Sequence, residues 1–454
     1  MKKLVSLMLC LLLVGSLVSG LPRASADELL PMPEGMDEDL WSECLELYQD
    51  YQCLPIDGGE VLASQLEEGG AYTFTASTTL TLDVDRSLKT LCCAGGLEIR
   101  GEGRLTAEMI YVFREGCITV DSGTIVCPVM DNPPENGSLI QNGLFGIGGI
   151  VINGGSVECP SMSSGPQTVM VHGGTLKVSG ISALFGYGQT GGTVEAGLIS
   201  AREGFYIEGG QLTVEYVYGM SVSFSGGVSV VEHVENELNR VRIAFPMAIT
   251  EPAGARWQDG RFVNADGNPV DRVRIEKLPV ENPFTDVSAE IYYYTPVLWA
   301  VYAGVTRGVE ETLFAPGKGC TRAEAVTFLW RANGCPTPAG SAPDFADVPE
   351  TAYYATAVRW AVEQGITEGT SKTTFSPDEP CTRAQIIAFL WRCAGSPKVN
   401  TETCFADVPS SAYYAPAVNW AAYRLAYGTS DETFSPNRIC SRSEIVTFLY
   451  RFFN

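Results

Sequence analysis

The sequence predicts a multidomain protein: an N-terminal right-handed parallel β-helix, an all-β solenoid, followed by an all-α unit of three modules. Three observations predict it. Gly-Gly pairs recur through the first half, ending at Gly155, Gly174, Gly192, Gly210 and Gly227, at steps of 19, 18, 18 and 17 residues. Short phrases that alternate apolar and polar residues follow these pairs. The second half repeats three times at about sixty residues, with aromatic and cysteine landmarks in fixed order. Fixed periods of this kind mark stacked or arrayed units, and 454 residues are too many for a single core.

From the amino end, Met1-Lys2-Lys3, the apolar run Leu4 to Val18 and Ala24-Ser25-Ala26 read as a signal peptide over residues 1–26. No later stretch holds about 18 uninterrupted apolar residues, so no transmembrane segment is expected after cleavage. Residues 27–60 read as an acidic cap. There Leu40, Trp41, Cys44, Leu45, Tyr48 and Tyr51 recur at helical spacing behind Asp37-Glu38-Asp39.

The solenoid is expected over residues 61–241. Its phrases are Ser156-Val157-Glu158-Cys159, Thr175-Leu176-Lys177-Val178, Thr193-Val194-Glu195-Ala196 and Gln211-Leu212-Thr213-Val214. Strand side chains alternate faces, so Val157/Leu176/Val194/Leu212 and Cys159/Val178/Ala196/Val214 stack as core columns, while Glu158/Lys177/Glu195/Thr213 form an outer ladder. The glycine pairs supply corners where positive φ or close backbone approach leaves no space for a side chain. Asp131 to Gly137 reads as a loop inserted into one rung. Residues 242–282, with the turn words Trp257-Gln258-Asp259-Gly260 and Asn264-Ala265-Asp266-Gly267, read as a β-rich seal and linker.

Charge excludes several functions. Lys plus Arg is 30 and Asp plus Glu 53, a net −23 that opposes general attraction to nucleic acid. From Pro283 onward there are 13 basic and 17 acidic residues, 13 − 17 = −4, so the acidity belongs to the solenoid. His172 and His233 are the only histidines and there is no C-x-x-C, so neither a metal nor a cofactor is expected. Cys92 and Cys93 are expected to face opposite sides of one strand, and Cys44 with Cys53 is a candidate local bridge.

The sixty-residue units span 283–343, 344–403 and 404–454. They open with Phe284-Thr285-Asp286-Val287, Phe345-Ala346-Asp347-Val348 and Phe405-Ala406-Asp407-Val408. Tyr293-Tyr294, Tyr353-Tyr354 and Tyr413-Tyr414 follow, then Trp299, Trp360 and Trp420, whose spacing suits a buried helical face. A Phe-x-Pro loop leads to Cys320-Thr-Arg-Ala-Glu, Cys381-Thr-Arg-Ala-Gln and Cys440-Ser-Arg-Ser-Glu. Thr321, Thr382 and Ser441, each with an acid or amide three residues on, are capping boxes that fix helix starts. The three cysteines are expected to fill apolar sockets.

This ordered series resembles surface-layer homology (SLH) modules of bacterial cell walls. The resemblance implies a helical unit of pseudo-threefold form whose grooves bind secondary cell-wall polysaccharide, a peptidoglycan-linked polymer often recognised through pyruvylated sugar. It implies a secreted protein of the cell wall, cell surface or S-layer. Arg322, Arg383 and Arg442 sit in first helical turns, where the macrodipole disfavours a cation. An anion held there would meet both the guanidinium fork and the helix end. The expected contact residues are these arginines with Asp286, Asp347 and Asp407, the caps Thr321, Thr382 and Ser441, and Gly308, Gly369 and Gly428. The bland alternatives are Arg–Asp ion pairs and aspartates serving as helix caps. Because the third unit is one residue shorter, Arg383 is ranked first and Arg442 last.

The solenoid's role stays open between two readings. One is a display or binding module for an external glycan or cell-surface ligand. The other is a polysaccharide lyase or glycoside hydrolase, for which Asp83 with Asp85, or Glu195 with Glu208, are nominal carboxylate pairs. Sequence favours the non-enzymatic reading.

Overall fold

The computed structural model describes residues 53–113, 115–128, 143–236, 241–340, 345–399, 405–422 and 424–454. The expected signal peptide, the helical cap over Leu40 to Tyr51, the partner Cys44 and the insertion at 131–137 lie outside the described residues. The chain divides into two compact units, 1–277 and 278–454.

The first unit is a parallel β-solenoid. Each turn hydrogen-bonds to the next in parallel register, and the predicted columns are the observed ones. Val157 pairs with Leu176, Leu176 with Val194 and Val194 with Leu212, while Cys159, Val178, Ala196 and Val214 stack two places on. Both columns are buried in one continuous core that runs from Ala63 to Ile275. Between them Glu158, Lys177, Glu195 and Thr213 line up on the opposite face.

The corners have the predicted cause. Gly155, Gly174, Gly192, Gly210 and Gly227 all have φ between +70° and +76°. A Cβ on Gly192 would lie 2.7 Å from the backbone of the turn below, so successive corners nest on one another.

Strand pairing starts earlier than expected. Leu54–Ile56 pairs with Ala71–Phe74, and Gly59–Leu62 with Thr78–Leu82, so residues assigned to the cap already belong to the solenoid. Gly58-Gly59 is another corner, with Gly59 at φ +104° and Gly58 tight against Ala76. Cys92 and Cys93 do face opposite ways. Cys93 joins the main core, and Cys92 packs with Cys53, Met109 and Phe113 in a second apolar cluster.

At the far end the pattern changes from parallel to antiparallel. Val273–Lys277 runs antiparallel to both Val222–Glu235 and Met247–Glu251, which stops further stacking in the parallel sense. The predicted hairpin forms between Arg256–Gln258 and Arg261–Val263, with Asp259 at φ +48° and Gly260 at φ +82° in its turn.

The second unit contains six helices among the described residues, two per repeat. They are α1 (Tyr294–Tyr302), α2 (Arg322–Ala332), α3 (Ala355–Glu363), α4 (Arg383–Cys393), α5 (Ala415–Ala421) and α6 (Arg442–Phe453). The shortened third repeat has the shortest helix, α5. Trp299 and Trp360 are buried, and Trp299 packs between Tyr450 and Phe453 of α6. Among the described residues no helix is long and apolar enough to cross a membrane.

Three cysteines close the unit into a ring. The Cys320 amide donates to the Cys440 carbonyl, Cys381 to Cys320, and Cys440 to Cys381, at 3.0, 2.8 and 2.9 Å. All three side chains are fully buried, and burial pushes their thiols up, Cys381 to about 12.

Candidate functional site

The three capping boxes form as their sequences require. Thr321, Thr382 and Ser441 accept from the amides of Glu324, Gln385 and Glu444 at 3.2, 3.3 and 3.3 Å. The acid or amide side chain answers the cap residue's own amide at 3.0 Å in each case. This fixes Arg322, Arg383 and Arg442 as the first residues of α2, α4 and α6.

Each arginine then turns toward the next repeat around the ring. Arg322 Nε donates to the Phe375 carbonyl at 3.0 Å, Arg383 Nε to Phe434 at 3.0 Å, and Arg442 Nε to Phe314 at 2.8 Å. Each guanidinium carbon also lies 4.8 to 5.0 Å from the ring of that same phenylalanine, within cation–π range. The arginines are only 4, 3 and 3% exposed. They are junction residues as well as first-turn cations.

The aspartates serve the same junctions from the other side. Asp286 accepts from the amides of Phe314 and Ala315 at 2.9 and 2.7 Å, and Asp347 and Asp407 do the same for Phe375-Ser376 and Phe434-Ser435. Ala315, Ser376 and Ser435 hold φ of +56° to +57°, a left-handed conformation costly for a side chain. The two carboxylate bonds hold that bend in place. The aspartates therefore neither cap the helices that follow them nor pair with the three arginines; they shape the loop whose carbonyl the arginine uses.

Gly308, Gly369 and Gly428 lie against the opening phenylalanine of their own repeat. A Cβ on them would sit 2.6, 2.7 and 2.6 Å from the rings of Phe284, Phe345 and Phe405. Their lack of a side chain is accounted for by this packing.

Beyond Nε the three arginines differ. Arg383 Nη1 meets Glu444 Oε1 at 2.6 Å and Nη2 donates to the Tyr427 carbonyl at 2.8 Å, while Glu444 also binds Arg438. Burial pushes the Glu444 carboxyl up, but the Ser441 amide and the Arg383 and Arg438 guanidinia outweigh it and hold the group below its usual range. Arg442 Nη2 donates to Thr306 Oγ1 at 3.2 Å and Nη1 stands 3.9 Å from Glu324. Arg322 has Gln385 in place of an acid at the related position, and its buried Nη2 has no hydrogen-bond partner. Arg383, ranked first by the loop comparison, is the most completely paired of the three.

Sequence reasoning passed over one feature. Tyr292, Tyr353 and Tyr413 are 62, 63 and 62% exposed, a threefold repetition of large exposed rings. Tyr292 stands within electrostatic reach of Glu444 and Arg383, Tyr353 of Glu324, and Tyr413 of Arg322. Each junction thus carries an arginine from one repeat, a loop from the next and an exposed ring from the third. The signal was in the sequence, since the first of the two paired tyrosines occupies one place in the second and third repeats, and Tyr292 takes it in the first.

On the solenoid, a groove of about 720 Å³ opens over the outer ladder. Glu158, Lys177, Glu195, Glu215, Glu232 and Arg272 are among the residues lining it, and Arg272 lies 3.9 Å from Glu232. Glu195 faces this groove, and Glu208 is not among its walls. Asp83 accepts from both the amide and the hydroxyl of Ser64, which hold its carboxyl below the usual range, and Asp85 accepts from the Arg104 amide. A carboxyl held ionised in this way is unsuited to general-acid work. Among the described residues no cluster of three or more His, Cys, Asp or Glu could hold a metal ion.

Comparison with known proteins agrees with this geometry. The S-layer homology domain matches residues 283–326, 344–387 and 405–446. Cell surface glycoprotein 1 of Acetivibrio thermocellus is 29% identical over 159 residues, 32% of this chain and 7% of that protein. The Surface-layer 125 kDa protein of Lysinibacillus sphaericus is 36% identical over 109 residues, 24% of this chain and 9% of that protein. An endoglucanase of a Bacillus species is 30% identical over 107 residues, 24% of this chain and 11% of that enzyme. The chain thus spans only a small part of each relative. Three domain matches and surface-layer relatives of this kind identify a secreted protein of the bacterial cell surface. Residues 283–446 are three S-layer homology domains, and the chain is one of the cell-surface proteins that carry them.

Proposed function

We propose that the three S-layer homology domains tether this protein non-covalently to secondary cell-wall polysaccharide, with a sugar-borne carboxylate such as a pyruvyl group as the anionic handle. The observation that carries the reading is the composition of the junctions. Each combines a helix start, a buried arginine and an exposed tyrosine ring, the parts needed to seat an anion beside an apolar sugar face. The domain unit carries little of the net acidity, so local cationic sites suffice to hold an acidic polymer that the solenoid's charge would repel.

The test is co-sedimentation of the full chain with wall sacculi in three forms: native, stripped of secondary polysaccharide, and chemically depyruvylated. Pelleting with the native form and loss with the stripped form is expected. Equal pelleting in all three would remove the tether.

In this reading the solenoid is carried as a display module. The groove over its ladder favours a second reading, recognition or cleavage of an external glycan, because a concave wall with several carboxylates is where a saccharide would lie. A glycan array combined with a reducing-sugar assay separates the two: binding without new reducing ends supports display, and new ends that vanish in Glu195→Gln support cleavage.

A further inference from the structure

The second apolar cluster of the solenoid lies on the outward side of its first turns. Pro55, Thr73, Cys92, Tyr111 and Phe145 stand in one register column on successive turns, while Phe74 and Cys93, one place along, belong to the inner core. Cys53 precedes the first strand and packs into this outer cluster beside Cys92. Both side chains are fully buried. The Cys92 thiol donates a hydrogen bond to the Cys53 sulfur, the largest of the influences that hold the Cys53 thiol below its usual range against the effect of burial. The two sulfurs are already neighbours.

Another cysteine pair shows what adjacency in the stack provides by itself. Val126 is in register with Glu158, so Cys127 and Cys159 face each other from neighbouring turns, and the Cys127 amide donates to the Glu158 carbonyl at 2.8 Å. Both point into the main core. Neighbouring strands lie about 4.8 Å apart, outside the roughly 3.5–4.5 Å between Cβ atoms that a disulfide spans. Burial pushes the Cys127 thiol up to about 12. Cys53 is under no such spacing, because it comes to its partner from outside the ladder.

The first turn is also where a crosslink has most to hold. Among the described residues Leu54–Ile56 bonds to Ala71–Phe74 and Gly59–Leu62 to Thr78–Leu82, each on one side only. An end turn of this kind frays first.

We propose that Cys53 and Cys92 form a disulfide in the exported protein, a clip that ties the start of the stack to its third described turn, and that Cys127 and Cys159 stay reduced. Export delivers the chain to a compartment where such bonds form. The oxidant is a disulfide, either a small molecule or an oxidoreductase. Cys53 Sγ attacks one of its sulfurs and releases a thiol, and Cys92 Sγ then displaces the second; one S–S bond forms, one breaks, and the two cysteine protons end on the two released thiols. Both sulfurs are shielded in the folded solenoid, so the exchange belongs to folding, before the cluster closes.

The test is peptide mass spectrometry on the full exported chain, unfolded in guanidinium with iodoacetamide and no reductant, then cut at glutamate. Glu46 separates Cys44 from Cys53, and Cys92→Ser and Cys93→Ser distinguish the adjacent cysteines. The expected result is a Cys53-to-Cys92 linked peptide that survives Cys93→Ser and disappears in Cys92→Ser, with Cys127 and Cys159 alkylated. Parent refolded under reductant should melt about 5 °C or more below the oxidised parent, and Cys53→Ser should match the reduced parent with or without reductant. Alkylation of both Cys53 and Cys92, or a link from Cys53 to Cys44 or Cys93, overturns the assignment. A Cys53–Cys92 link whose loss leaves melting unchanged overturns the clip.

Discussion

The two units solve the same problem, building a large structure from a short repeat, in opposite ways. The solenoid is an open stack in which each turn bonds to the turns beside it, so in the regular rungs from Ser156 to Val231 a residue's neighbours lie 17 to 19 residues away and hold the same place in the repeat. The domain unit is a closed ring of three, in which Arg442 reaches back 128 residues to Phe314. An open stack repeats its chemistry with small drift. A ring of three must satisfy every junction at once, and a single change, Gln385 for Glu, gives one junction a different charge from the others.

That contrast can be broken most strongly at Glu444. Glu444→Ala strips the counter-charge from buried Arg383 and removes half a capping box, and should destabilise the domain unit by about 3–5 kcal/mol in denaturant unfolding. The same carboxylate gives a pH signature. Its folded pKa lies below the usual 4.5, so its contribution is complete above that value and is lost as pH falls through the lower folded value. Acid unfolding of the parent should show this loss and Glu444→Gln should not; matching curves would mean that the ion pair does not stabilise the ring.

In the solenoid the largest effect belongs to a corner. Gly192→Val places a side chain at φ +70° with its Cβ 2.7 Å from the turn below, and should cost roughly 2–5 kcal/mol from backbone strain and overpacking together. A denaturation midpoint unchanged from the parent would show that the nested corners are loose. The smallest effect belongs to the ladder. Lys177→Ala, between Glu158 and Glu195 on neighbouring strands, should move stability by about 0.5 kcal/mol or less, since exposed charge pairs contribute little. A shift of several times that size would make the ladder, and not the columns beneath it, the stabilising face.

How much was legible follows from the same contrast. The register of Val157, Leu176, Val194 and Leu212 could be read directly, because a period of two and a glycine corner are local properties that each rung repeats. The earlier start at Leu54 was obscured because the glycine pairs of its rungs, Gly58-Gly59 and Gly69-Gly70, stand outside the regular series. In the ring, the helix starts were legible from Thr321, Thr382 and Ser441, but the destination of the arginines was not. A first-turn cation looks misplaced when only its own helix is considered, and the carbonyl that uses it belongs to another repeat. The loop-shaping bonds of the aspartates were hidden for the same reason, since Asp347 bonds to amides 28 and 29 residues away and not to the next helix.

The cysteine ring has a consequence for when this unit can form. The Cys320 amide waits for a carbonyl at Cys440, and Arg442 waits for Phe314, so the first domain lacks two of its contacts until the third has been delivered. Folding from the amino end can fill the solenoid turn by turn, while the domain unit has contacts of high sequence separation to make before it closes. A chain passing in extended form through an export channel would keep this part open until its last helix is through, and would close it on the side of the membrane where the wall lies.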